Sequence, residues 1–121
     1  MKAYTDIEQS KKLAEILPLE SADSVIVSIG DREGVKTITI PKETFNILRT
    51  PFTDIRNTIH CWSLAALLNI LAKQDFIIKS DERNDGYRYN IDIPSRHCKI
   101  WFSSLLDAAF EMVCWLKKNG K

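Results

Sequence analysis

The sequence predicts a small α+β domain in which three main helices pack on an antiparallel sheet of about three to five strands. Two observations predict this class: β-branched runs are joined by turn residues, and three other segments combine helix caps with apolar faces. A third observation is the length of 121 residues, of which 45% are hydrophobic and 27% charged. A chain of this size can bury a core of its own, so we expect one domain over residues 1–121.

The first helix is predicted from its boundary signals. Thr5 and Glu8 have the spacing of a capping box, in which a hydroxyl and a carboxylate satisfy free backbone N–H groups reciprocally. Leu13 and Leu17 give the helix an apolar side, and Pro18 ends it because proline cannot continue the backbone hydrogen bonds. We therefore expect a helix that begins near Thr5 and stops before Pro18.

A β-hairpin is predicted next. Residues 25–29 and 35–40 are two β-branched runs, and the short connection between them has Gly30 and Gly34 at its ends. Such a spacing is typical of two antiparallel strands joined by a turn.

Residues 41–58 have a weaker pattern. Phe45, Ile47 and Leu48 fit one helical turn, but Pro51 follows soon after them. We expect a short helix followed by a loop in this segment.

The strongest local signal is a central helix within residues 61–72. Ser63 is a good N-cap residue, and Trp62 and Leu67 stand at the positions of a hydrophobic staple around it. The helix is apolar almost all round, so we expect it to be buried on more than one side.

The second half predicts an antiparallel meander and a last helix. Residues 76–78, 87–93 and 98–102 read as three strands joined by turns. In the middle strand four residues face one side, namely Tyr87, Tyr89, Ile91 and Ile93, and three polar residues face the other, namely Arg88, Asn90 and Asp92. The last helix is expected from Leu105 to about Lys118, with Ser104 and Asp107 at its start and Gly120 at its end.

Three blocks of the sequence resemble a family of short uncharacterised proteins from gut-anaerobe genomes, their phages and mobile elements. The blocks are QSKKLAEILPLESAD, CWSLAALLNIL and DAAFEMVCWLKKNG, and together they span nearly the whole chain. The resemblance implies a phage- or element-associated origin and supplies no activity, cofactor or catalytic residue. Members often carry aromatic residues soon after the first block, where this chain has Val25, Ile26 and Val27.

Composition and processing signals argue against several classes of protein. The acidic N-terminus lacks the apolar run of a signal peptide, and the apolar stretches are shorter than the roughly 20 residues of a membrane span. Three cysteines without a secretion signal indicate reduced thiols and a cytoplasmic location.

The formal charge of +1 argues against nucleic-acid binding, because neutralised phosphates supply most of that affinity. Four scattered basic residues are nevertheless candidates to line such a surface: Lys36, Lys42, Arg49 and Arg56. A nucleic-acid accessory protein is therefore kept as an alternative.

A repeated dipeptide, His60-Cys61 and His97-Cys98, is the one constellation that resembles a metal or thiol site. If Cys98 begins the third strand of the meander, His97 and Cys98 point to opposite faces, which argues against a shared zinc ion, as does the lack of ligands two to four residues apart. A Cys–His nucleophile pair would need a carboxylate such as Asp92 or Asp107 to orient the imidazole. We expect neither, and we predict no catalytic residue, no cofactor and no metal.

The preferred prediction is a non-enzymatic protein that binds a protein partner or a second copy of itself. Its candidate interaction surface consists of Trp101, Met112 and Trp115, because tryptophan is enriched where binding energy concentrates. The last helix carries two apolar stripes, so we expect it either to lie between layers or to pair with a partner. A thiol enzyme or metal protein that uses the two His-Cys dipeptides is a further alternative.

Overall fold

Four helices and five strands follow one another along the part of the chain that the structure describes. The computed structural model describes residues 2–31, 34–49, 55–97 and 99–120. In chain order the elements are α1 (Ile7–Ile16), β1 (Ser24–Asp31), β2 (Gly34–Pro41), α2 (Lys42–Leu48), β3 (Ile55–Cys61), α3 (Leu64–Leu71), β4 (Ile77–Arg83), β5 (Gly86–Asp92) and α4 (Leu105–Lys118). The predicted α+β class is confirmed.

The strands form two antiparallel sheets rather than one. The first has the order β2-β1-β3, and the second is the hairpin of β4 and β5. The predicted hairpin of β1 and β2 is confirmed, with Val25 opposite Ile40 and Val27 opposite Ile38. Within residues 41–58 the short helix is confirmed as α2, but the loop prediction is wrong, since residues 55–58 begin β3. The segment's own sequence has no strong strand pattern, so β3 forms because it pairs with β1.

The main hydrophobic core lies between α1, α3, α4 and β5. Its fully buried side chains include Leu13, Trp62, Leu67, Ile91 and Leu106. Val25 and Val27 of β1 are also completely buried but do not belong to this cluster. The three-stranded sheet thus has an apolar strip of its own beside the helical core.

The cap of α1 differs from the prediction by one residue. Asp6 is the N-cap: its carboxylate accepts the backbone N–H of Gln9 at 2.8 Å, and the Gln9 side chain accepts the Asp6 backbone N–H at 3.2 Å. Thr5 is instead buried, where its hydroxyl accepts the backbone N–H of Trp62 at 3.0 Å and bonds to the Ser10 hydroxyl at 2.8 Å. The proposed partner Glu8 is exposed in the first turn.

The start of α3 is confirmed as predicted. The Ser63 hydroxyl caps the helix by accepting the Ala66 backbone N–H at 3.1 Å. Trp62 and Leu67 are both completely buried on either side of this cap. The predicted burial on several sides is incomplete, because Ala65 and Asn69 are exposed.

The third strand of the predicted meander, residues 98–102, is wrong for the residues described. Residues 99–101 are irregular, and Phe102 makes a single antiparallel bridge with Tyr89. Asn90 donates its side-chain amide to the Ile100 carbonyl at 3.1 Å, so a side chain takes the place of a ladder partner there. Cys98 lies outside the described residues.

The last helix lies between layers. Ser104 caps α4 by accepting the Asp107 backbone N–H at 3.3 Å, and Lys117 and Lys118 lie in the last turn. Gly120 has a positive φ of 71°, as a residue that follows a helix end often does. α4 contacts α1, α3 and β5, which accounts for its two apolar stripes without a partner chain. Among the helices described, none combines the length and apolar character needed to cross a bilayer.

We expect Asp6→Ala to lower the free energy of unfolding by about 1 kcal/mol, because the first turn of α1 loses its cap. The matched control is Glu8→Ala, which removes a carboxylate from the same exposed turn and should change the free energy by less than about 0.5 kcal/mol. Urea unfolding measures both. Equal effects would mean that helix electrostatics, and not the cap, stabilise this end.

Leu67→Ala should cost about 2–5 kcal/mol, because it leaves a cavity in the core under α3. Asn69→Ala, on the exposed side of the same helix, should stay within about 0.5 kcal/mol. Thermal and urea unfolding of the two variants would contradict the packing of α3 if their stabilities did not differ.

Candidate functional site

The three-stranded sheet has two faces with different surroundings, because successive side chains of a strand point to opposite sides. In β1, Val25 and Val27 point to one face, and the register places His60 and Thr58 of β3 beside them. Helix α2 packs over this face, which we call the α2 face. The opposite face carries Ile26 and is lined in part by the N-terminal segment.

A half-open pocket lies between α2 and the α2 face. Its volume is about 530 Å³. The helix side and its C-terminal end contribute Lys42, Phe45, Asn46 and Arg49, and the sheet contributes Val25, Ile55, Thr58 and His60. A pocket of this size is in the range that accommodates a small organic molecule.

The charges that line the pocket have one sign. Lys42 and Arg49 are cationic, and none of the described lining residues is acidic. The Lys42 ammonium is held in place because it donates to the Leu19 carbonyl at 2.8 Å. An ammonium carries three N–H donors, so this bond leaves donors for a ligand.

His60 lines the pocket and has one ring nitrogen that is buried. Its Nδ1 is buried and has no hydrogen-bond partner among the described residues. Burial, and then the positive charge of Lys42, lower the pKa of His60 below its ordinary value. Both effects disfavour the imidazolium ion, and both would be offset by an anion bound next to the ring.

The described lining residues form an arrangement suited to binding an anion. Two cations and one imidazole can hold an anion through charge-assisted hydrogen bonds. Asn46 and Thr58 supply neutral hydrogen-bonding groups, and Phe45 supplies an apolar wall. The sequence suggested Lys42 and Arg49 as candidates for a nucleic-acid surface and His60 as a candidate metal ligand. It did not predict that the three residues share one pocket.

The His60-Cys61 dipeptide is split between the faces of β3. His60 lies on the α2 face, and Cys61 is completely buried on the other side, opposite Ser24. Burial, together with the charge of Asp23, raises the pKa of the Cys61 thiol to about 12. This thiol is therefore protonated at neutral pH and is no ready nucleophile.

In the second dipeptide, the histidine makes a polar contact with a carboxylate. The His97 Nδ1 lies 3.4 Å from an oxygen of Asp92, one of the two carboxylates considered for orienting an imidazole. Asp92 is buried and also bonds to Lys79, although the alternation of β5 predicted a solvated face. The other carboxylate, Asp107, instead accepts from Lys2 and Gln9. Cys98 cannot be placed, since it lies outside the described residues.

Metal ligands do not cluster in the part of the chain that the structure describes. No group of three or more His, Cys, Asp or Glu side chains there could hold one ion. Cys114, a half-buried thiol, has its pKa raised to about 11 by burial and by the charge of Glu111.

The three residues of the predicted interaction surface are placed differently from one another. Trp101 is 38% exposed and lies beside Arg83 and Arg88 at the tip of the β4–β5 hairpin. Met112 is 2% exposed and belongs to the core, so it offers no area to a partner. Trp115 is half-buried against the core, and the Arg96 guanidinium lies 5.2 Å from its ring centroid.

These features define a small α+β protein with a cationic pocket between a short helix and a three-stranded sheet. The chain matches no protein-family model, no curated protein and no solved structure.

The lowered pKa of His60 predicts how stability depends on pH. In the unfolded chain the imidazole takes up a proton near its ordinary pKa of about 6.5. The folded chain does so only at lower pH, so the unfolded state binds more protons between the two values. The contribution of His60 is fully present above pH about 6.5 and is lost as the pH falls toward the folded pKa.

We therefore expect the wild-type chain to lose more of its free energy of unfolding between about pH 8 and about pH 5 than His60→Asn does. Urea unfolding at both pH values measures the two differences, and the contributions of the carboxylates are shared by both chains. Equal losses in the two chains would contradict the burial of the imidazole.

Proposed function

We propose that this chain is a non-enzymatic binding protein whose ligand is a small organic anion held in the pocket between α2 and the three-stranded sheet. One observation carries the proposal. Lys42, Arg49 and His60 converge on one cavity that no described acidic side chain lines, and the buried Nδ1 of His60 has no hydrogen-bond partner among the described residues. An unmatched buried polar atom among cations costs free energy that a bound anion would offset.

The ligand class follows from the lining of the pocket. Phosphate and carboxylate groups match Arg49 and Lys42 in charge and hydrogen-bonding capacity. Phe45, Val25 and Ile55 give the same pocket apolar surface, which favours an anion with an aromatic or aliphatic body. An aryl phosphate has both the anionic group and the apolar body, whereas an inorganic anion has only the charge.

A protein partner is the second candidate function, and a specific observation favours it. Trp101 is partly exposed at the tip of the β4–β5 hairpin, and Ile100 and Tyr87 are also exposed, at 61% and 55%. Exposed aromatic and aliphatic side chains of this kind often anchor protein interfaces. The two candidate functions use different sheets and do not exclude each other.

The setting of the protein is also a proposal. Buried and half-buried free thiols at Cys61 and Cys114 support a reducing, cytoplasm-like compartment. The resemblance of the three sequence blocks supports a phage or mobile-element origin. Nucleic-acid binding is a weaker proposal, since the net charge is only +1 and the basic residues Lys42 and Arg49 line a pocket rather than an extended stripe.

Titration calorimetry with phenyl phosphate, inorganic phosphate and phenol tests the anion proposal. We expect phenyl phosphate to bind more tightly than inorganic phosphate, and phenol not to bind measurably, because the charge and the ring each contact part of the pocket. Arg49→Gln should weaken phenyl phosphate binding about tenfold or more, the effect of losing one charge-assisted hydrogen bond.

The matched control is Lys73→Gln, which removes one exposed positive charge at the end of α3, away from the pocket. It should leave the affinity unchanged. If both variants lose affinity equally, the binding reflects overall charge, and if the wild-type chain binds none of the anions, the proposal is wrong.

A further inference from the structure

Strand β4 has one edge without a strand partner among the described residues. β4 pairs with β5 over its whole length, from Ile77 opposite Asp92 to Arg83 opposite Gly86, and with no other described strand. Two large apolar side chains stand on this edge strand, Ile77 at 64% exposure and Ile78 at 42%. An unpaired strand of this length is a template for another strand.

The middle residue of β4 is Ser80, which has one charge of each sign directly beside it, while Glu82 and Arg83 lie nearer the turn. Lys79 and Asp81 flank it, and with Ile77 and Arg83 they lie on the face turned away from Ile91. If a second copy of β4 paired antiparallel with Ser80 opposite Ser80, each Lys79 would stand opposite an Asp81 of the other copy. Directly opposite charges of unlike sign stabilise a strand pair, whereas like charges destabilise it.

Two neighbouring registers, centred on Lys79 and on Asp81, are also symmetric and also keep the faces of the two sheets aligned. Of the three registers, the one centred on Ser80 is the one that places unlike charges opposite each other. A register centred on Lys79 places two ammonium groups opposite each other at the axis. A register centred on Asp81 places two carboxylates there and sets Lys79 opposite Arg83. The charges thus select one register and oppose the two beside it.

We propose that two copies of this chain associate through β4, antiparallel and centred on Ser80, to form one continuous four-stranded sheet from the two β4–β5 hairpins. The proposal goes beyond the anion pocket, which lies on the other sheet. It identifies the partner as a second copy because the edge is complementary in charge to itself, as the contact of a two-fold dimer must be.

The contacts within one chain are compatible with this pairing. Lys79 already bonds to Asp92, and the Asp81 carboxylate lies 2.8 Å from the Arg83 Nε. An ammonium has three donors and a carboxylate has several lone pairs, so each can add a partner across the axis. The aliphatic stem of Arg83 would also cover the exposed Ile77 of the other copy.

The other sheet does not offer an equally specific edge. In β2 the charged side chain of the strand is Lys36, and the rest of the strand is neutral, so no register is selected by charge. β2 and β3 each adjoin residues outside the described ranges, whereas both ends of β4 are described.

Cysteine cross-linking tests the register directly. Directly opposite residues of antiparallel strands have Cα atoms about 4.5–5.5 Å apart, which is within the range of a disulfide. Ser80→Cys should therefore form a covalent dimer under mild oxidation. In Glu82→Cys the two new thiols would be four residues apart along the strand, about 13 Å, so this matched control should not cross-link faster than the unsubstituted chain.

Light scattering across a range of concentrations gives an independent readout without oxidation. We expect the wild-type chain to show a concentration-dependent rise in mass, and Asp81→Lys to abolish it because two pairs of like charges then face each other. Asp85→Lys makes the same charge change at the turn, outside the pairing, and should dimerise as the wild type does. Circular dichroism checks that each variant is folded.

The proposal is overturned if the wild-type chain is a monomer throughout, or if Asp81→Lys and Asp85→Lys behave alike. It is also overturned if Ser80→Cys cross-links no faster than Glu82→Cys. Phenyl phosphate binding is measured separately on the same chains, so failure of the dimer and failure of the anion pocket are distinguishable.

Discussion

Trp62 is the residue on which the rest of the structure depends, because it joins the three-stranded sheet to the helical core. It lies between the end of β3 and the N-cap of α3, and it is completely buried. Its backbone N–H donates to the Thr5 hydroxyl, its carbonyl accepts the Thr5 N–H at 2.9 Å, and its indole N–H donates to the Ser21 hydroxyl at 2.9 Å. The backbone and side chain of this one residue thus fix the N-terminal segment, the segment before β1 and the start of α3 relative to one another. A large aromatic residue can do this because it fills volume at one end and bonds at the other.

The elements that the sequence predicted correctly are those whose signals are local. The N-cap of α3, the β1–β2 hairpin and the span of α4 each depend on residues close to one another in the chain. β3 was not predicted, since its residues form a strand by pairing with β1, about 30 residues earlier in the chain. The cap of α1 shifted for a similar reason. Thr5 could serve as a cap, but its hydroxyl is taken by Trp62, and Asp6 caps instead.

The sequence did not predict the candidate pocket, for the same reason. Most of its residues come from α2 and from β3, and without β3 there was no surface on which Lys42 and Arg49 could meet His60. The alternation along β3 places His60 and Cys61 on opposite faces. The sequence applied this alternation to His97 and Cys98 instead, because it did not predict β3. Of the residues proposed for an interaction surface, Trp101 is partly exposed, whereas Met112 is buried because α4 is covered on both stripes by its own chain.

The location of the pocket also explains how the fold accommodates the unfavourable charges that line it. Two cations beside a buried imidazole destabilise the folded state, and in the main core that cost would act against the packing of α3 and α4. The pocket lies instead against the separate apolar strip of Val25 and Val27, which the main core does not include. The cationic groups therefore lie apart from the helical core, on the sheet that carries the proposed anion site. Trp62 connects this sheet to the helical core, so binding on the α2 face would stabilise the whole chain through that one junction.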